Sequence, residues 1–290
     1  MLVIPAIITG LGLGSMYGLI ALGFHITYSV SNTVNFSQGS SMMLGAVLGY
    51  IFTIRYGVPV PLAILLSLTC CALFGLVVER VLVRPFAERG SNAWLMATVA
   101  GGIVLDNVVL FTYGKEPRSF PSPLASKPVE IFGTGVYPLQ LIIPLVGLGA
   151  AFALHFISRK TKLGKALPAT VQNPDAAQLM GINVRLVIAI SFMISTALAG
   201  MAGLLIAPLF NIHSDMGTLF GIKAFAVAIL GGITSAWGVM LAGLAYGLIE
   251  AFVTTFLGSV YTQIVTFSLV IVVLAILPNG IFGREAVKKV

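Results

Sequence analysis

Apolar segments alternate with short polar stretches along most of this 290-residue chain. A bilayer core about 30 Å thick requires roughly 20 apolar residues in a helix. Segments near that length fall at 5–30, 39–54, 61–79, 93–113, 138–158, 184–208, 221–239, 240–257 and 263–280. The segment 39–54 is short, and no charged loop separates 221–239 from 240–257. We therefore predict an all-α polytopic membrane protein, one transmembrane domain over residues 1–290, with eight or nine spans and room for a re-entrant or broken helix.

Two uncharged polar stretches interrupt the apolar pattern. Residues 29–41 have the sequence SVSNTVNFSQGSS, and residues 230–238 have the sequence LGGITSAWG. Unwound backbone is tolerated at membrane depth only where protein buries it or a water-filled cavity solvates it, and transporters place broken helices along their path. The first stretch therefore offers Asn32, Asn35 and Gln38 as candidate path residues. A polar turn between two spans explains the same residues equally well.

Four ionisable residues fall inside the apolar segments: His25, Asp106, Lys223 and Glu250. A carboxylate at membrane depth is costly and usually faces a bundle interior or a cavity, which makes Asp106 and Glu250 further candidates for a path. Both lie toward one end of their segments, so contact with interfacial water is the alternative. The long side chain of Lys223 can reach that interface too.

Glycines recur at four-residue spacing in two segments, at Gly10, Gly14 and Gly18 and again at Gly243 and Gly247. Small residues at this spacing let helix backbones approach closely within a bilayer. Neither a strand nor a soluble helix flanks the first set, so it is not a nucleotide-binding fingerprint. We predict that these glycines are packing positions.

The longest hydrophilic stretch is the loop 159–185, which holds five basic residues against one acid, Asp175. A second loop, 114–137, contains four prolines. With nine spans and the N-terminus outside, eleven basic residues, including the five in loop 159–185, lie on the side of that loop. The other five lie on the opposite side. Because Lys and Arg are enriched in cytoplasmic loops, we predict that loop 159–185 and the C-terminus are cytoplasmic and that loop 114–137 is external.

A short helix is predicted inside loop 159–185. Asn173 is a favourable N-cap, and Pro174 tolerates the first helical position. Asp175 suits the positive end of the helix dipole, and Gly181 can end the helix in a left-handed conformation. The helix displays apolar side chains for which the loop has no core of its own, those of Ala176, Leu179 and Met180. They either lie among lipid headgroups or dock into a groove of a soluble partner.

The sequence suggests neither catalysis nor a metal site. The histidines, His25, His155 and His213, are far apart in sequence and in predicted depth, and the adjacent Cys70 and Cys71 have no further ligands at suitable spacing. No phosphate-binding G-x-x-x-x-G-K-[ST] run is present. We expect this chain to bind no cofactor, and ATP, if it is used, to be bound by another chain. The net charge of +7 follows from membrane topology, so we expect no nucleic-acid partner.

Five stretches resemble, in order, the motifs of one transporter family. NFSQGSSMMLGAVLGY from Asn35 is similar to N-F-[AS]-[HQ]-G, and WLMATVAGGIVLDNVVLFTYG from Trp94 is similar to L-M-x-T-x-A. LGKALPATVQNPDAAQLMGINVRLV is similar to a cytoplasmic coupling loop. GIKAFAVAILGGITSAWGVMLAGLAYGLIE from Gly221 is similar to F-K-A-F-x-x-x-x-L-G-G-x-G-S-x-x-G. ILPNGIFGR is similar to R-P-x-G-L-F-G, the motif near the end of family members. The family is the branched-chain amino-acid permeases of ABC importers, the leucine, isoleucine and valine type.

The resemblance implies a non-enzymatic permease subunit in a bacterial-type inner membrane. It implies pairing with a second homologous permease or with itself, two cytoplasmic ATPase subunits that use ATP, and a periplasmic or extracellular substrate-binding protein. The residues matched to ATPase coupling are Asn173, Pro174, Asp175, Ala176, Ala177, Leu179, Met180 and Gly181. Relatives also carry urea, short amides and other amino acids, so the resemblance leaves the solute open.

Two other functions are compatible with the apolar pattern. A self-sufficient channel or secondary carrier for a small neutral solute would have no need to display Leu179 and Met180 to the cytoplasm. A membrane assembly subunit without a path would have no need for the polar breaks near Asn32 to Gln38 and at Thr234. The displayed apolar pair favours the importer permease.

Overall fold

The computed structural model describes residues 2–131, 134–161, 164, 170 and 174–283. This part of the chain is almost entirely helical, with one two-stranded antiparallel hairpin. The elements are α1 (Val3–Ser31), α2 (Gln38–Tyr50), a π-helix (Ile51–Arg55), α3 (Val60–Val77), a second π-helix (Val78–Val83), α4 (Arg84–Ala87), α5 (Trp94–Tyr113), α6 (Pro123–Ser126), β1 (Val129–Ile131), β2 (Thr134–Val136), α7 (Pro138–Lys160), α8 (Pro174–Leu179), α9 (Val184–Ile206), α10 (Met216–Gly231), α11 (Ala236–Phe256) and α12 (Ser259–Ile276).

Within the described residues, seven helices are long and apolar enough to cross a membrane. The predicted all-α polytopic fold is therefore confirmed. The count is lower than the predicted eight or nine because the helices in two segments, 39–54 and 221–239, are shorter than the seven others. Helix α2 has 13 residues and continues through the π-helix to Arg55, and α10 has 16 residues.

The polar stretch 230–238 is a helix break, as its sequence indicated. Helix α10 ends at Gly231 and α11 begins at Ala236, so the predicted boundary between segments at 239 and 240 was wrong. Gly232 has a φ of +81°, a conformation that glycine adopts without strain. Ser235 is the N-cap of α11, and its side chain accepts a hydrogen bond from Gly238 N at 3.1 Å. These two residues set the break eight residues earlier than hydropathy alone suggested.

Other parts of the chain supply partners for the backbone at this break. His25 Nδ1 lies 2.7 Å from Ile233 O, and Ile281 N donates to Leu230 O at 2.7 Å. The segment that follows α12 reaches this position because Gly280 has a φ of +79°. Backbone groups that leave a helix within a membrane need such partners.

The described residues form two compact units. Unit 1 comprises Met1–His25, Pro123–His155 and Lys223–Val290. Its central contact is the close approach of α1 to α11. A Cβ atom on Gly14 would lie 2.6 Å from Gly243 O, and one on Gly243 would lie 2.8 Å from Gly14 O. The predicted role of these glycines in packing is confirmed.

Unit 2 comprises Ile26–Ser122 and Phe156–Ile222. Helix α9 packs on α2 and α3 in this unit. A Cβ on Gly45 would lie 2.5 Å from Gly200 Cα, and Thr196 Oγ1 donates to Cys71 O at 2.8 Å. The second π-helix turns Glu79 inward, where Arg84 Nε and Nη2 donate to its two carboxylate oxygens at 2.9 and 2.8 Å.

We expect Gly14→Ala to destabilise the protein by about 1–3 kcal/mol, because the added methyl group meets backbone atoms that must shift. Thermal unfolding in detergent measures the effect. Gly149→Ala is the matched control, since Gly149 is also helical and a Cβ there has no neighbour within 4 Å. Equal melting temperatures for the two variants would contradict the close helix contact.

Candidate functional site

The short helix in loop 159–185 is α8, six residues long. It ends as its sequence predicted. Gly181 has a φ of +81°, Gly181 N donates to Gln178 O at 2.9 Å, and Ile182 N donates to Ala177 O at 3.0 Å. These bonds satisfy carbonyl groups at the end of the helix. The last turn and the residue that follows it are therefore held in a defined conformation.

The cap leaves two large apolar side chains facing outward. Leu179 is 90% exposed and Met180 is 83% exposed. Ala176 is exposed as well, whereas Ala177 is only 4% exposed and contributes to the core of the chain itself. Large apolar side chains presented side by side on a rigid turn are suited to docking into an apolar groove.

The remaining residues matched to the coupling helix are placed only in part. Asn173 lies outside the described residues. Pro174 and Asp175 form the first turn of α8, and only their backbone is described. The beginning of α9 is capped by Asn183, whose side chain accepts a hydrogen bond from Leu186 N at 3.1 Å. This cap was not predicted from the sequence, although Asn before an apolar helical run is a recognisable signal.

A second loop contacts the region beside α8. Arg185 Nη2 lies 3.0 Å from Glu88 Oε1, and both side chains are largely exposed. Glu88 follows α4, in the connection that leads to α5. The loop 159–185 and the α4–α5 connection are therefore adjacent in unit 2.

The break between α1 and α2 contains a buried hydrogen-bond network within unit 2. Asn35 Oδ1 accepts from Ser37 Oγ at 2.6 Å, and Asn35 Nδ2 donates to Gln38 Oε1 at 3.4 Å. Gln38 Nε2 donates to Ser195 O at 2.9 Å, and Ser195 Oγ donates to Gln38 Oε1 at 3.1 Å. The structure brings Asn35 and Gln38 together and connects them to the middle of α9.

Asn32 and Asp106 lie outside this network. Asn32 is exposed and has a φ of +52°, so it ends α1 in a left-handed conformation that Asn tolerates better than most residues. Asp106 on α5 is half-buried beside the Ser40 hydroxyl. Its Oδ1 atom is buried and has no hydrogen-bond partner among the described residues.

Glu250 belongs to a buried ion pair in unit 1. Lys223 Nζ lies 2.5 Å from Glu250 Oε1, and the two side chains are 6% and 10% exposed. Lys223 Nζ also lies 3.4 Å from the Tyr17 hydroxyl and 5.7 Å from the centre of the Tyr17 ring. Tyr246 packs edge-on against Tyr17, with ring centres 5.6 Å apart.

This pair contradicts the alternative that Lys223 and Glu250 reach interfacial water. Lys223 does not extend to water, because an acceptor lies within reach inside the protein. The two residues are 27 positions apart on different helices, so periodicity within one helix could not pair them. The available sequence signal was the presence of one acid and one base in neighbouring apolar segments.

Among the described residues, no group of three or more His, Cys, Asp or Glu side chains could hold a metal ion. Cys70 and Cys71 are both free thiols. The sites that the structure presents are thus the exposed pair on α8, the network at the α1–α2 break and the ion pair in unit 1.

Comparison with known proteins identifies the family. A family model described as branched-chain amino acid transport system / permease component matches residues 6–274. The chain is 32% identical to the high-affinity branched-chain amino acid transport system permease protein LivH of Escherichia coli (strain K12), over 97% of this chain and 96% of that protein. It is 34% identical to the corresponding protein BraD of Pseudomonas aeruginosa, over 98% and 97% of the two chains. Since both kinds of match extend over nearly the whole chain, this protein belongs to the family of branched-chain amino acid transport system permease components.

Proposed function

We propose that this chain is the transmembrane permease of an ABC importer that moves branched-chain amino acids, or a closely related small polar solute, toward the cytoplasm. It forms one permease domain over residues 1–290 and pairs with a second homologous permease or with a copy of itself. Two cytoplasmic ATPase subunits use ATP, and a binding protein outside the membrane delivers the solute. Family membership supports the transport role, and the names of the relatives support the solute class.

The exposed apolar pair on α8 is the observation that carries the link to ATPase subunits. Leu179 and Met180 are large, adjacent and almost fully exposed on a capped turn. A self-sufficient channel or carrier gains nothing from this surface. In the proposed mechanism the ATPases hold α8 and move it as they close, and this motion switches the spans between outward-open and inward-open states.

The proposed orientation has loop 159–185 and the C-terminus in the cytoplasm and loop 114–137 outside. The excess of basic residues on the side of loop 159–185 supports the direction. Two contacts within unit 2 support the grouping of loops on each side. The Arg185–Glu88 ion pair links loop 159–185 to the α4–α5 connection. A pair of backbone hydrogen bonds between Arg118 and Ile212, at 3.0 and 2.9 Å, links loop 114–137 to the connection between α9 and α10.

We also propose that the polar residues within the spans contribute to the translocation path. These residues are Asn32, Asn35, Gln38, Asp106 and Glu250. The burial of Asn35, Gln38 and Glu250 supports this, because buried polar groups in membrane spans commonly serve transport. One buried oxygen of each carboxylate, Asp106 Oδ1 and Glu250 Oε2, has no hydrogen-bond partner among the described residues, which supports it further.

The docking role is tested with Leu179→Asp combined with Met180→Asp in the assembled importer. We expect the spans to insert normally and solute uptake to be uncoupled from ATP hydrolysis, because each new carboxylate would be buried against a partner without a counter-charge. Uptake and solute-stimulated ATPase activity are measured in proteoliposomes. Gln178→Asp, an exposed neighbour in the same helix, controls for added charge. Normal uptake and normal stimulated hydrolysis in the double variant would overturn the docking role.

Orientation is tested by labelling single cysteines in a background with Cys70 and Cys71 replaced by alanine. We expect Ser91→Cys and Met180→Cys to react with an impermeant maleimide only from the cytoplasmic side. We expect Lys115→Cys to react only from the outside. Ser91 and Lys115 are exposed and lie outside the proposed docking pair, so a failure of either to react from the expected side reports orientation rather than burial. Met180 is exposed in the chain alone, so Met180→Cys is labelled in membranes that lack the ATPase subunits. Labelling of Met180→Cys in intact cells would contradict the proposal.

The path role of the α1–α2 break is tested with Asn35→Ala and Gln38→Ala. Removing the Gln38 amide leaves Ser195 O and Ser195 Oγ without this partner, at a cost of about 1–3 kcal/mol. Uptake is therefore normalised to the amount of folded complex, and we expect it to remain lowered. Ser67→Ala is the control, since that buried hydroxyl donates to Ala63 O in its own helix and has no other partner among the described residues. Unchanged uptake kinetics in both test variants would show that this stretch is only a polar turn and not part of the path.

A further inference from the structure

The Lys223–Glu250 pair in unit 1 is incompletely satisfied. Glu250 uses Oε1 to bind Lys223, while Oε2 is buried and has no hydrogen-bond partner among the described residues. A pair that serves only stability gains from having every acceptor filled, because an unfilled one costs free energy in a low-dielectric interior. The free oxygen is thus a position where a further donor would be stabilised.

The surroundings of the pair are polar for a membrane interior. Thr254 and Thr262 have hydroxyl oxygens 2.9 Å apart, and Thr254 Oγ1 donates to Glu250 O at 2.7 Å. The helix that carries Lys223, α10, is short and ends at a break. Broken helices that carry polar side chains are typical of solute sites in transporters.

We propose that Lys223 and Glu250 recognise the two charged ends of the transported amino acid, an inference that rests on the proposed function. An α-amino acid is a zwitterion near neutral pH. Its ammonium group is complementary to the Glu250 carboxylate, and its carboxylate group is complementary to the Lys223 ammonium. The site therefore selects zwitterionic α-amino acids over solutes that carry only one of these charges.

The exchange of partners explains how a buried pair can bind a charged solute. In the resting pair each charge neutralises the other. When the solute enters, Lys223 and Glu250 separate and each binds one end of the solute, so that no buried charge loses its counter-charge. This avoids the large cost of an unpaired charge in an apolar interior. Tyr17 remains beside Lys223 and helps to hold the ammonium group in place.

The test replaces both charges at once with neutral side chains of similar size, Lys223→Met with Glu250→Gln, in the complete importer. Replacing a buried pair by neutral residues is commonly tolerated, whereas removing one partner strands a charge. We expect the double variant to assemble in amounts similar to wild type. Leucine uptake should fall by about tenfold or more, the loss expected for charge-assisted hydrogen bonds to the solute.

A matched control is the Glu79–Arg84 ion pair in unit 2, in which the Glu79 side chain is 2% exposed and the Arg84 side chain is 26% exposed. Glu79→Gln with Arg84→Met removes two charges in the same way and should leave leucine uptake within roughly twofold of wild type. Uptake at that level in the Lys223→Met, Glu250→Gln variant would overturn the inference and make the pair structural. If wild type itself fails to take up leucine, the proposed function fails instead.

A second variant covers the case in which the neutral pair does not assemble. Glu250→Asp keeps the charge but shortens the side chain by one methylene group. We expect it to assemble and, with uptake normalised to the amount of folded complex, to show a lower leucine uptake rate, because the shorter side chain extends less far toward the solute ammonium. A normal uptake rate in this variant would overturn the inference.

Discussion

Backbone groups that leave a helix inside a membrane must find partners within the protein, and this requirement governs both breaks in the chain. At the α10–α11 break, His25 and Ile281 lie within hydrogen-bonding distance of carbonyl groups at or beside the end of α10. At the α1–α2 break, Thr98 Oγ1 accepts from Phe36 N at 3.3 Å, and Asn35 accepts from Ser37 N at 3.1 Å. In each case residues distant in sequence stabilise a short unwound segment. The polar stretches are thus fixed features of the fold rather than loose connections.

Close contact between helix backbones is the second determinant of the fold. Gly14 and Gly243 let α1 approach α11 in unit 1, and Gly45 and Gly200 do the same for α2 and α9 in unit 2. Lipid tails are as apolar as leucine, so helices in a membrane gain from contact mainly through tight packing. A glycine at the contact serves this better than a larger apolar residue.

Much of the fold could be predicted from the sequence, because long apolar runs and glycine spacing are local signals. The left-handed end of α8 at Gly181 was predictable for the same reason. Short helices were harder to predict. Helix α2 is extended by a π-helix, and α10 ends early at Gly231, just before the left-handed Gly232. Neither feature changes the hydropathy that defines a span.

The candidate sites show the same division between local and distant information. Leu179 and Met180 could be identified because their exposure follows from a capped short helix without a core. The partner of Glu250 could not, since pairing Lys223 with it requires knowing how α10 packs against α11. The connection from Gln38 to Ser195 likewise spans 157 positions. Single-sequence patterns do not contain such contacts.

The hydrogen bond from Ile281 N to Leu230 O has a consequence for biosynthesis. The two residues lie 51 positions apart, so the carbonyl group at the end of α10 leaves the ribosome well before its partner. At a translation rate of about 5–20 residues per second, this interval is roughly 3–10 s. During that time the break must be shielded by the insertion machinery or by water. The segment that follows α12 therefore completes the hydrogen bonding of this break only after α10, α11 and α12 have all been synthesised.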